Sequence, residues 1–124
     1  MAEPRSRIFA PGLLDGQVCL VSGAGSGLGR ATALELASLG ATVVGCGRRR
    51  EPLDETVAAI AAGEGSGEAV ATDIRDEGAV DALVDGILER HGRLDVLVNN
   101  AGGQFLSPAA VSYTHLTLPT IYSV

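Results

Sequence analysis

Apolar residues fall along this chain in two alternating patterns. Residues 17–21 and 41–46 are nearly continuous apolar runs, and 94–98 is another. Runs of this length suit strands buried on both faces of a sheet. Residues 68–72 form one more strand. Between these runs the spacing turns helical. Over residues 28–39, Leu28, Ala31, Leu34 and Leu39 fall near one face, and Gly40 supplies the stop. Over residues 52–62, Pro52 suits a first turn, and Leu53, Val57 and Ile60 share a face. Asp76 is placed to cap a helix reaching about Arg90, with Val80, Leu83, Val84, Ile87 and Leu88 inward and Gly92 ending it. Residues 63–67 read as a flexible turn. Residues 1–14 read as a loose arm, because Pro4, Pro11 and Gly12 discourage regular structure.

Strands that alternate with helices imply a parallel sheet with right-handed crossovers. The expected fold is α/β: a Rossmann-type doubly wound sheet in the order 3-2-1-4, running through residues 15–110. The fourth strand is then left as an unpaired apolar edge, which makes the isolated chain prone to aggregation. The switch point lies between the first and fourth strands. Their carboxyl ends carry Ser22-Gly23 and Asn99-Asn100, so two turns should face each other across one crevice.

The first of these turns holds four glycines within seven residues, Gly23, Gly25, Gly27 and Gly29. A glycine turn between strand and helix is a place for phosphate, because N–H groups at the helix start point at the anion. Gly23 permits the tight turn, Gly27 lets a pyrophosphate approach, and Gly29 lets the helix lie close to the strand. About 20 residues further on, such folds read the ribose 2′ position. Here the chain has Arg48, Arg49 and Arg50 and no carboxylate, and Glu51 after them does not replace the acid. Arginine suits a 2′-phosphate, so NADP is favoured over NAD. Asp73, at the end of the third strand, could accept from an adenine amino group. Asn100-Ala101-Gly102 would let nicotinamide and ribose lie against backbone.

Composition narrows the setting. One domain fits in 124 residues, and a net charge of −6 argues against nucleic acid as a partner. No apolar stretch approaches the roughly 18 residues needed to span a membrane. The N-terminal residues lack the apolar region of a signal peptide. Cys19 and Cys46 read as reduced core thiols of a cytoplasmic protein. His91 reads as a surface residue, and no metal site is expected. All nine basic residues are arginine, so the chain has no lysine.

Ser22-Gly23-x-x-x-Gly27-x-Gly29, Asp73 and Asn99-Asn100-Ala101-Gly102 together resemble the short-chain dehydrogenase/reductase family. The likeness covers residues 15 to about 110, nearly half of a usual member. Ser22 stands where the family usually has Thr and keeps the hydroxyl. The resemblance implies that Gly23, Ser26, Gly27, Leu28 and Gly29 hold the pyrophosphate, with Ser22 also among the cofactor-binding residues. It implies Arg48, with Arg49, for the 2′-phosphate, Asp73 and Ile74 beside adenine, and Asn99, Asn100, Ala101 and Gly102 on the nicotinamide side. It also implies a homo-oligomeric parent and a small-molecule substrate. The family's chemistry rests on a Tyr-x-x-x-Lys pair, an upstream Ser and an Asn. A chain without lysine cannot form that pair, so this chain is expected to be inactive by itself. A non-catalytic NADP-binding regulatory module of the same fold is the alternative. Residues 102–108 are similar to the trans-2-enoyl-CoA and 2,4-dienoyl-CoA reductase branch, which implies hydride transfer to an enoyl or carbonyl group, acyl-CoA substrates included.

Residues 111–124 differ in character, with both tyrosines of the chain and no charge or glycine. Residues 111–120 are what GTC TCT TAT ACA CAT CTG ACG CTG CCG ACG encodes, which resembles a transposase end and read adapter used in sequencing libraries. Val124 and the stop match the point where that adapter resumes after an index. This tail is therefore read as non-native, and Tyr113, His115 and Tyr122 are set aside as catalytic candidates.

Overall fold

The computed structural model describes residues 8–100 and the backbone of a short strand at 121–123. The elements run β1 (Val18–Ser22), α1 (Gly27–Ser38), β2 (Thr42–Gly47), α2 (Arg50–Ala62), β3 (Ser66–Ala71), α3 (Glu77–His91), β4 (Val96–Asn99) and β5 (Ile121–Ser123). All pairings are parallel and the sheet order is β3-β2-β1-β4-β5. The expected doubly wound order 3-2-1-4 is therefore present.

β1 is central and wholly buried. Its side chains alternate between faces, as strand pleating dictates. Cys19 and Val21 join Val43, Val98, Ala33, Ala37, Leu53 and Ile60 on the side of α1 and α2. Val18 and Leu20 join Val44, Cys46, Leu97, Leu83 and Ile87 on the side of α3. Cys19 and Cys46 are free thiols in these two layers. Burial pushes Cys46 up to about 12, and burial with the nearby Asp95 charge pushes Cys19 up to about 11. Both stay protonated at neutral pH and act as small apolar residues.

Five sequence expectations need correction, the last of them His91. α1 does not bury Leu28 and Ala31; its buried residues are Gly29, Ala33 and Ala37. Small residues let this helix lie close to the sheet, and Leu28 is turned out, 57% exposed. In α2 the residue buried with Leu53 and Ile60 is Thr56, not Val57. Leu88 lies off the buried stripe of α3 and is exposed. The fourth strand is not an open edge: Ile121–Ser123 pairs with Leu97 to Asn99. An apolar strand with unpaired N–H and C=O groups is a template for an extended segment, and this one is filled.

Caps and ties fix the ends. Asp76 caps α3 by accepting from the Ala79 N–H at 3.2 Å, and Gly92 ends the helix in the left-handed region at φ 77°. His91 is not a bare surface residue. It sits 2.7 Å from the Glu68 carboxylate on β3, and Arg90 meets the same carboxylate at 2.9 Å. Asp95 accepts from the Val18 N–H at 2.9 Å and pairs with Arg93 at 2.8 Å, tying the starts of β1 and β4 together. The Arg93 bond, then the Val18 N–H, hold the Asp95 carboxyl below its usual range. A carboxyl depressed in the fold contributes stability above its unfolded pKa of about 3.9 and loses it as pH falls through the folded value. The melting temperature is therefore expected to fall below about pH 4. Asp95→Asn should flatten that fall in a series of thermal melts by circular dichroism. An unchanged acid profile would contradict the assignment.

Candidate functional site

A parallel sheet puts every strand's carboxyl end on one edge. Here Ser22, Gly47, Ala71 and Asn99 end β1 to β4 on that edge. Hydrogen bonding carries the ladder a little beyond it. The Gly23 N–H donates to Cys46 O at 2.9 Å, and the Thr72 N–H to Gly47 O at 2.7 Å.

The glycine turn leaves β1 at Gly23, whose φ of 67° is in the region that favours glycine. Gly29 sits on the buried side of α1. A Cβ there would overlap the Gly23 carbonyl oxygen and stand 2.7 Å from Asn100 Nδ2. Gly27 faces open space, with no atom near a hypothetical Cβ. Ser26 occupies the N-cap position of α1 in extended conformation, but its side chain makes no capping hydrogen bond. No acidic residue lies in the first turn. The leading N–H groups of a helix have no intrahelical acceptors. An open glycine face, donors without a side-chain cap and no carboxylate in the first turn fit a bound pyrophosphate.

Ser22 is placed differently from the other turn residues. It is buried, and its hydroxyl accepts from the Asn100 N–H at 2.8 Å. The same Oγ lies 3.3 Å from both Val98 O and Asn99 Oδ1, its possible acceptors. Ser22 thus joins the glycine turn to the turn after β4 from behind. The Asn100 side chain stands beside Gly29, and Asn99 Oδ1 lies by Ser22 Oγ. Ala101 and Gly102 lie outside the described residues.

Arg48 and Arg49 follow β2 and are exposed. Asp73 is already engaged. Arg75 grips its carboxylate from Nε and Nη2, each at 3.1 Å, and the Arg75 N–H adds a bond of 3.0 Å. These Arg75 bonds, with a smaller contribution from the Arg48 charge, hold the Asp73 carboxyl down to about 2. Asp73 is therefore ionised at all ordinary pH. Ile74 is half-buried against the α3 layer, so its side chain turns toward the core. Sequence reasoning missed Arg75; its position two residues after a strand-end Asp was the available signal. It also missed Thr56, whose hydroxyl reaches the glycine turn.

Glycine turn, asparagine turn and basic corner share the carboxyl edge of a doubly wound α/β sheet, around its switch point. The family profile for short chain dehydrogenase matches residues 17–118. The chain belongs to the short-chain dehydrogenase family. It is 52% identical to a citronellol catabolism dehydrogenase of Pseudomonas aeruginosa PAO1, with a TM-score of 0.75 over 83% of this chain and 42% of that one. A metagenomic short-chain oxidoreductase solved in complex with NADP is 45% identical, with a TM-score of 0.71 over 79% of this chain and 45% of that one. A probable 2,4-dienoyl-CoA reductase of Caenorhabditis elegans is 42% identical over 103 residues, 82% of this chain and 33% of that protein. The chain thus spans between a third and a half of the proteins it matches.

Gly29→Ala tests the packing at the centre of this site. Removing a helix glycine gains about 1 kcal/mol of propensity. Forcing a methyl into backbone costs about 1–3 kcal/mol, and the overlap with Gly23 O puts this case at the upper end. A net loss of stability in urea titration is expected, together with weaker nucleotide binding. A stabilised variant would mean that α1 does not approach the turn this closely.

Proposed function

We propose that these residues form the cofactor-binding part of an NADP-dependent oxidoreductase that moves hydride to a carbonyl or enoyl carbon, acyl-CoA thioesters among its substrates. The observation that carries the reading is the basic corner after β2. Arg48 and Arg49 stand there, exposed, with no acid in the ribose-reading position. NADPH, when bound, supplies the hydride. The chain's own residues bind and orient it. The glycine turn offers N–H donors to the pyrophosphate, and Arg48 offers a planar guanidinium to the 2′-phosphate. Asp73, ionised and fixed by Arg75, keeps an oxygen lone pair for an amino group. The NADP complex of a 45% identical structure and the acyl-CoA reductase among the relatives support this choice of cofactor and substrate class. Two protonated, unpaired thiols suit a reducing, cytoplasmic setting for a homo-oligomeric parent.

A regulatory module on the same fold draws on one fact, the absence of lysine from the 124 residues. A Tyr-x-x-x-Lys encoded downstream in the parent gene selects the enzyme. The same gene decides the nature of residues 111–124. We keep the reading of that tail as translated adapter, which rests on the codon match across residues 111–120. Codons other than the adapter's across residues 111–120 would end it.

Binding titrations on the purified chain test the cofactor. NADPH should bind more tightly than NADH. Arg48→Ala should weaken NADPH by about 10-fold or more, the size of a lost charged hydrogen bond, and leave NADH within about twofold. Equal losses for both nucleotides, or none, would remove Arg48 from the 2′-phosphate.

A further inference from the structure

We infer that Thr56 is a positioning residue for the cofactor, acting through the backbone of the glycine turn. The inference rests on the nucleotide-binding reading above. Thr56 lies in the second turn of α2 and is only 2% exposed. A threonine inside a helix ordinarily returns its proton to the carbonyl four residues back. Here that acceptor, Pro52 O, is 3.3 Å away, while Ala24 O is at 2.8 Å. The shorter bond leaves the helix and reaches the glycine turn, 32 residues earlier in the chain.

The bond fixes one peptide plane. In a trans peptide the carbonyl of one residue and the N–H of the next point in opposite directions, and the described chain contains no cis bond. Holding the Ala24 carbonyl toward α2 therefore aims the Gly25 N–H away from α2. Packing holds the same arc in place. Ala24 is fully buried, and a Cβ on Gly25 would stand 2.7 Å from Pro52 Cβ. A Cβ on Gly45 of β2 would stand 2.9 Å from Ala24 Cβ. The turn thus rests on the β2–α2 unit, whose corner carries Arg48 and Arg49. Thr56 sets the turn's orientation against that corner.

Three variants and three probes test this. Thr56→Val keeps the shape and removes the proton; Thr56→Ser keeps the proton. Thr56→Val should weaken NADPH and NADH together, by about 5-fold or more. Thr56→Ser should stay within about twofold of the wild-type chain. Adenosine 2′-monophosphate, which has no pyrophosphate, should bind Thr56→Val and the wild-type chain alike. If Thr56→Val does not fold, Thr56→Cys, a weak donor of similar shape, takes its place with the same expected direction. Wild-type affinity in the variant lacking the donor overturns the proposal. So does an equal loss in Thr56→Ser, or a parallel loss of adenosine 2′-monophosphate, which would show that α2 as a whole had moved. A wild-type chain that binds neither dinucleotide overturns the cofactor reading and this proposal with it.

Discussion

One hydroxyl joins the two walls of this site. Parallel pairing brings β1 and β4 side by side, but it does not fix the turns that leave them. Ser22 Oγ does that by accepting the Asn100 N–H at 2.8 Å while its single proton goes to Val98 O or Asn99 Oδ1. The Asn100 bond is part-buried, and a donor left unpaired away from water costs about 1–3 kcal/mol, so the bond helps hold the turn after β4 in place. Gly29 completes the junction. It lets α1 lie against the Gly23 carbonyl and Asn100 at once. The hydroxyl is the property that Ser and Thr share. Its role here explains why a serine can stand where the family usually carries threonine.

The electrostatics of the edge run against those of the chain. Net charge is −6, yet the corner after β2 carries Arg48 and Arg49. The nearby carboxylate of Asp73 is covered by Arg75. Screening over a Debye length of about 8 Å makes the local arrangement count for more than the total at such a surface. A polyanionic ligand would meet cations and N–H donors at this edge, while the acidic residues that set the net charge lie largely on exposed helix faces.

The fold was legible because its strands are buried on both sides and read as apolar runs. Glycine and Asp-x-x signals then bounded the helices to within one or two residues. The site was legible where one residue acts through its own backbone, as at Gly23 and Gly29. It was less legible where a side chain acts at a distance. Periodicity weighs leucine above alanine, so α1 was assigned the Leu28 face; close approach to the sheet selects Gly29, Ala33 and Ala37 instead. Thr56 falls three residues after Leu53 and four before Ile60, on the buried stripe, and a hydroxyl there signals a buried partner. Nothing local in the sequence identifies that partner as Ala24. His91 likewise looked bare because Glu68, its partner, is 23 residues away.

These long-range contacts divide the labour within the site. The turn that would hold pyrophosphate is seated on Gly45, Pro52 and Thr56, all parts of the β2–α2 unit. The residues that would read the ribose, Arg48 and Arg49, project from the same unit but touch none of that seating in the hydrogen bonds of the described chain. Sites without shared partners respond to substitution nearly independently. The charge offered to the 2′ position can therefore change at residues 48 and 49 while the phosphate turn stays fixed. The converse does not hold. A shift of α2 that loosened Thr56 would move the corner and the turn together, so the buried side of α2 is the more constrained part of the site, although no ligand would touch it.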